Sequence, residues 1–169
     1  MVTVGEAAYR YFERGEDPTG LGRWCWIEFR GRNEHVTRVY TAYRPGSKPT
    51  SDSERTTVYH QHERYLRKND IKKEPRDYFD GCIKSEIKHQ LEEKHAVLMI
   101  GVNQDVRHRH FTTLMEELGL SNAVAKSNIE PLPATHHRGS KPISALCTSS
   151  AIETTRAGIL PKGFGVRDD

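Results

Sequence analysis

An α/β domain, with a mixed sheet and helices packed outside it, is the fold class this sequence predicts. Three observations carry that reading. A β-rich run at Trp24, Trp26, Ile27 and Phe29 is answered by a second at Val36, Val39, Tyr40 and Tyr43. Apolar residues then recur every four positions at Phe79, Ile83, Ile87 and Leu91, with Lys84, Lys88, Glu92 and Glu93 on the other faces. That is the pattern of an amphipathic helix covering a sheet. Finally, Ala96–Ile100 is a short unbroken apolar run, as expected of a central strand buried on both faces.

Taken in order, residues 1–20 have weak periodicity: Tyr9, Tyr11 and Phe12 lie among charges, and Gly15–Gly20 reads as a turn. Residues 1–16 are therefore expected to form a poorly defined arm, and 17–169 the domain. The first strand closes at Arg30–Asn33, a hairpin-type connection, and the answering strand stops at Arg44–Gly46. Residues 46–57 make a polar loop, long enough to be of functional interest. Val58, His62, Tyr65 and Leu66 follow helical spacing, and Pro75 suits the first turn of the next helix. A third helix is expected near Arg109–Leu118, with Phe111, Leu114, Met115 and Leu118 on one side and Gly119 as its stop. Ile143–Cys147 and Thr154–Leu160 read as two more strands, giving the order β-β-α-α-β-α-β-β.

Composition narrows the function classes. The chain has 169 residues, 26 Lys+Arg against 23 Asp+Glu, and a formal charge of +3. Such a mild excess is only weak evidence for a polyanionic partner. No apolar run approaches the roughly 20 residues needed to span a bilayer, and Met1–Glu6 has no basic start followed by an apolar stretch. A soluble intracellular protein, cytoplasmic or nuclear and without a membrane partner, is the expectation. Cys25, Cys82 and Cys147 are odd in number and form no C-x-x-C pair. Reduced thiols without a disulfide partner are expected, and a zinc knuckle is not.

Three stretches could carry chemistry, each with a plainer alternative. Polar residues follow the apolar run in Ile100–Arg107, where ligands of open α/β sheets sit. Asn103 and Asp105 there could ligate a hard cation or position a phosphate oxygen, or simply cap the next helix. Arg107, His108, Arg109 and His110 place positive charge at a helix start, which invites an anion or is a solvated basic face. In Thr135–Lys141, residues His136, His137, Arg138 and Lys141 suit phosphate contact, or form an ordinary polar loop. Tyr43, next to Arg44 at a strand end, could donate to a phosphate oxygen, though a tyrosine half in the core is the commoner arrangement.

Together, Asp17-Pro-Thr-Gly-Leu-Gly-Arg-Trp24, Thr41-Ala-Tyr-Arg-Pro45, Val102-Asn-Gln-Asp-Val-Arg107, Thr135-His-His-Arg-Gly-Ser-Lys-Pro-Ile143 and Arg156-Ala-Gly-Ile-Leu-Pro161 occur in a recognisable order. That order resembles the endonuclease/exonuclease/phosphatase superfamily, the deoxyribonuclease-I-like fold, and within it retroelement-type endonuclease domains. The resemblance implies a two-layer β-sandwich of mixed sheets flanked by helices, here lacking the N-terminal strands and the final strand. It also implies cleavage of phosphate esters with Mg²⁺ or Mn²⁺, and nucleic acid as partner. Carried over by position, Tyr43 matches the phosphate-contacting tyrosine and Asn103 the asparagine of the G-D-x-N-like motif. Asp168 lies at the serine of the terminal S-D-H motif and Asp169 at its aspartate.

The departures are as informative. Gly101 stands where the motif has the water-orienting aspartate, and Ser144 where a P-I-D-G-like pattern has its aspartate. The histidine expected after Asp169 is absent, and none of Glu6, Glu13 or Glu16 is placed on a strand as the metal-binding glutamate. A glycine offers no ligand, and a serine hydroxyl binds a divalent cation poorly beside a carboxylate. Hydrolysis near background is therefore expected, with rescue by His108, His136 or His137 a remote alternative. Arg44, Arg107, Arg109, His136, His137, Arg138 and Lys141 are expected to hold phosphate. A non-catalytic phosphate-binding role and a small-molecule phosphatase remain competing readings. Missing outer strands would also leave sheet edges open to self-association.

Overall fold

The computed structural model describes residues 5–31, 34–50, 57–91, 94–127, 131–136 and 139–159. A 3₁₀ turn (Gly5–Arg10) leads into β1 (Tyr11–Glu16), followed by β2 (Trp24–Arg30) and β3 (Val36–Tyr43). Two helices, α1 (Val58–Lys68) and α2 (Pro75–Leu91), precede β4 (His95–Gly101). Then come α3 (Arg109–Glu117), β5 (Leu120–Asn122), the single turn α4 (Ala123–Lys126) and β6 (Ser144–Ser149). The six strands form one mixed sheet in the order β1-β2-β3-β4-β6-β5. Only the β3–β4 pair is parallel; its crossover is the α1–α2 segment. The fold is α/β as expected, and the described residues supply one of the two sheets of the expected sandwich.

Alternation of side chains divides the sheet into two faces. Trp24, Tyr40, Ala42, Ala96, Leu98, Ile100, Ala145 and Cys147 point the same way and are buried with Phe79, Ile83 and Ile87 of α2 and Phe111, Leu114 and Met115 of α3. The two helices read from four-residue spacing thus cover one face. Burial pushes the Cys147 thiol up to about 12, so it packs there as a small hydrophobe. The other face carries Val39, Thr41, Tyr43, Val97, Met99 and Leu146, and is open enough to leave Tyr43 49% and Met99 40% exposed.

Buried charge on the covered face is paired across elements. Arg38 Nε donates to Glu28 Oε1 at 2.7 Å and Arg38 Nη1 to Glu86 Oε1 of α2 at 3.0 Å. Lys94 Nζ reaches the same Glu28 oxygen at 2.7 Å. The Arg38 guanidinium also lies 3.5 Å above the Trp26 ring. Helix ends follow their sequence signals. Glu74 Oε2 accepts from Arg76 N at 2.7 Å ahead of the first turn of α2, and Gly119 takes φ +61° to close α3.

Four expectations need correction. Tyr11–Glu16 is a strand rather than part of an undefined arm, and it places Glu13 and Glu16 in the sheet, paired with β2. Residues 154–159 are irregular, so no strand occupies the described part of Thr154–Leu160. The strand expected at Ile143–Cys147 runs instead over Ser144–Ser149. Finally, β5 and α4, neither foreseen, fill the segment after α3. Among the described residues, no helix is long and apolar enough to cross a membrane.

Candidate functional site

The parallel β3–β4 pair and the β4–β6 pair decide what meets at the carboxyl end of the sheet. Tyr43 is the partner of Gly101, and Gly101 is the partner of Ser144. Directly paired residues share a face, so these three stand in one row across three strands on the open side. Two neighbouring inter-strand spacings make that row about 10 Å long. The Tyr43 ring lies against the backbone of β4: a Cβ built on Gly101 would be 3.2 Å from Tyr43 Cδ2. Here the missing side chain is what lets the phenol rest on the sheet.

The backbone around the row is clamped. Tyr43 N donates to Arg23 O at 2.8 Å, and Arg44 N to Gly101 O at 2.9 Å. Asn103 adopts a left-handed φ of 52°, and its Nδ2 donates to Arg44 O at 2.6 Å. Arg76, in the first turn of α2, bridges both loops, donating to Pro45 O at 3.1 Å and to Asn103 O at 2.9 Å. Burial and the neighbouring Arg44 charge lower the Arg76 pKa from its ordinary value. On the far side, Thr135 Oγ1 accepts from Ile143 N at 2.8 Å and from Ser144 N at 3.1 Å. Val102 N donates to Ile143 O at 2.7 Å, fastening the loop before β6 to the exit of β4.

Three aspartates near this end of the sheet are each held by an arginine. Asp17 binds Arg23 through two bonds of 2.6 and 2.9 Å, with both side chains fully buried. Burial pushes the Asp17 carboxyl up, but bonds from Arg23 and Thr19 outweigh it and bring it down to about 2. Asp80 takes Arg44 Nε at 2.7 Å and Arg44 Nη2 at 2.5 Å, and His110 Nε2 lies 2.8 Å from its Oδ2. Asp105 accepts from Arg107 N, Nε and Nη2 at 3.0, 2.9 and 2.7 Å, and the Arg107 bonds lower it to about 2.

This arrangement sorts the residues proposed from sequence. Tyr43, Gly101 and Ser144 are brought together, with Asn103 just beyond. Asn103 does not cap α3, whose N-cap is His108; its amide holds the exit of β3. Asp105 forms a local turn with Arg107 instead of capping the helix. Arg44 is 3% exposed and spends its guanidinium on Asp80 and Gln104, so it braces the site from inside rather than meeting phosphate. Arg109 lines a separate cleft of about 610 Å³ between α2 and α3, with His108, His110 and Lys84. Arg107, His136 and Lys141 are exposed, and Lys141 is close enough to Asp105 to lower its pKa. His137, Arg138, Asp168 and Asp169 lie outside the described residues. Asp80, Arg76 and Thr135 were not foreseen. The signal for Thr135 was its place at the head of a motif; Asp80 and Arg76 gave none beyond their position on an amphipathic helix.

Among the described residues, the donor set at this row does not fit the divalent ion implied by the resemblance. The row offers a phenol, a bare Cα and a hydroxyl, while Asp17, Asp80 and Asp105 are committed to guanidinium groups. Glu16 lines a cleft with Tyr43, but a single carboxylate makes no octahedral site. Among the described residues, no group of three or more His, Cys, Asp or Glu could hold a metal ion.

No family model matches the chain, and no curated protein matches it in sequence. Solved structures similar to it include a beta toxin from Staphylococcus aureus, at 10% identity and a TM-score of 0.41, covering 75% of this chain and 42% of that one. An endonuclease/exonuclease/phosphatase family protein from Bacteroides thetaiotaomicron follows at 11% identity and a TM-score of 0.40, covering 75% of this chain and 40% of that one. Sphingomyelinase C from Streptomyces griseocarneus gives 8% identity and a TM-score of 0.38, with 75% and 42% covered. The chain thus spans well under half the length of these three proteins.

Proposed function

We propose that this chain holds phosphodiesters of nucleic acid at the carboxyl end of its sheet without hydrolysing them efficiently. The observation that carries the reading is the row Tyr43, Gly101 and Ser144. The two positions at which the sequence resemblance expects carboxylates are direct neighbours on paired strands, and both lack an acid. A shared divalent ion needs two such oxygens facing one point. With no acid at either position, the remaining features favour binding: a phenol, a hydroxyl, the cations Arg107 and Lys141 and the imidazole of His136, all three of these last exposed. Cations of this kind give affinity that is largely independent of sequence and falls with salt.

A fluorescent single-stranded oligonucleotide titrated at several salt concentrations, together with a supercoiled-plasmid assay in Mg²⁺ and in Mn²⁺, tests the proposal. Salt-dependent binding without nicking is expected. Robust nicking by the purified chain, or an affinity that does not change with salt, overturns it.

A further inference from the structure

We propose that Tyr43 is a stacking platform for an unpaired nucleobase, which inserts into the cleft between the 17–24 turn and the end of β3. This goes further than phosphate binding and rests on that reading.

Four observations place the base. First, the Tyr43 ring lies over the bare Cα of Gly101, where even one added carbon would be a tight contact at 3.2 Å. Its other side is open to solvent, the residue being 49% exposed. Second, the backbone that carries the ring is held before any ligand arrives, because Tyr43 N and Arg44 N are both bonded to neighbouring segments and the Arg44 guanidinium is anchored on Asp80. An aromatic surface already held in place loses little conformational freedom on binding. Third, Tyr43 forms one wall of a cleft of about 390 Å³, whose other walls include Glu16, Gly20, Gly22, Cys25 and Thr41. Fourth, the ends of the row differ in charge. Glu16 lines the cleft, and Lys141 precedes Ser144 in the loop that enters β6.

The charge asymmetry selects the orientation. A carboxylate repels phosphate but accepts from the ring or exocyclic N–H groups of a base, as acidic side chains do for cytosine N4. Lys141, in the loop that enters β6, attracts the backbone. A single strand therefore lies with one base against Tyr43, over the cleft, and its phosphates toward Lys141. Base–aromatic stacking is tolerant of sequence because every base has a π-face.

The test uses the full chain and two single-stranded octanucleotides of equal charge, one carrying 2-aminopurine and one wholly abasic. Quenching of 2-aminopurine on binding is expected, with the base-bearing strand bound about tenfold more tightly than the abasic one. Tyr43→Phe retains both effects. Tyr43→Leu loses the quenching and binds the two strands alike. Gly101→Val, whose branched side chain needs more room beneath the ring than a single Cβ, behaves as Tyr43→Leu while keeping the same thermal unfolding midpoint within a few degrees. Salt-dependent binding with equal affinity for both strands, or quenching that survives in Tyr43→Leu, overturns the platform and leaves the phosphate reading standing. If the folded wild-type chain binds neither strand, both readings fall. Self-association through this face that excludes both strands is also a contrary result.

Discussion

The two faces of the sheet are built from the same strands, often from consecutive residues, yet they serve different ends. On the covered face, Leu98, Ile100 and Tyr40 are sealed beneath α2 and α3, and the charges that enter, such as Arg38 and Arg44, meet an acid from a helix. On the open face, one residue along, Met99, Gly101 and Tyr43 are exposed or lie against one another. The covered side supplies rigidity; the open side supplies a surface with no acid at positions 101 and 144. Positions 101 and 144, where the proposed reading expects carboxylates, both lie outside the packed core.

The largest effects expected test this division directly. Arg44→Met leaves Asp80 without its guanidinium in a buried setting and should cost about 3–5 kcal/mol in urea unfolding. Its exposed counterpart, Arg107→Met, should leave the urea midpoint almost unchanged. Comparable losses in both would erase the distinction between a bracing pair and a surface pair. Next come the adjacent residues Leu98 and Met99. Leu98→Ala opens a cavity under the helices and should cost about 2–5 kcal/mol. Met99→Ala, on the open face, should stay within about 1 kcal/mol. A larger loss at Met99 would mean that this face is covered in the native protein.

Acid stability sharpens the same picture. His62 of α1 is buried, and burial together with the Arg23 charge lowers it to about 4 from an ordinary 6.5. The fold therefore holds it neutral, while the unfolded chain takes up a proton first. Stability present above pH 6.5 should fall as the pH drops toward 4, by about 3 kcal/mol. His62→Gln should remove that slope. A second decline, of about 2 kcal/mol, belongs to Asp17 as the pH falls from 3.8 toward about 2. It is expected to vanish in Asp17→Asn, which starts from a lower stability at neutral pH. An unfolding free energy flat from pH 7 to 4 would contradict the burial of His62. The smallest effect concerns binding: Lys141→Ala should reduce the salt slope of oligonucleotide affinity by about 0.7, one single-strand phosphate contact.

Much of the covered face was legible in the sequence, because four-residue spacing at Phe79, Ile83 and Ile87 and the run Ala96–Ile100 report burial directly. The edges were not. In β1, Tyr11 and Phe12 are exposed and Glu13, Arg14 and Glu16 are charged, so an edge strand has no alternation to display. With only three residues, β5 is too short to show a period at all. The site was legible in parts. Motif order singled out Tyr43, Asn103, Gly101 and Ser144, but their meeting in one row depends on register across β3, β4 and β6, which no local pattern encodes. Arg44 was read as a phosphate contact because its partner Asp80 lies 36 residues away on another element. Only the folded chain shows that the guanidinium is already spent.

The proposed function rests on Gly101 and Ser144, direct partners on β4 and β6, marking a point that two acids would make metal-competent. Titration of Mn²⁺ against the wild-type chain and the Gly101→Asp/Ser144→Asp variant, followed by the electron paramagnetic resonance of free Mn²⁺, tests it most directly. The account predicts no specific site in the wild type and one new site in the folded double variant, in which Tyr43 must turn aside to admit the carboxylate introduced by Gly101→Asp. A stoichiometric Mn²⁺ site in the wild type, or none in a well-folded double variant, would contradict it.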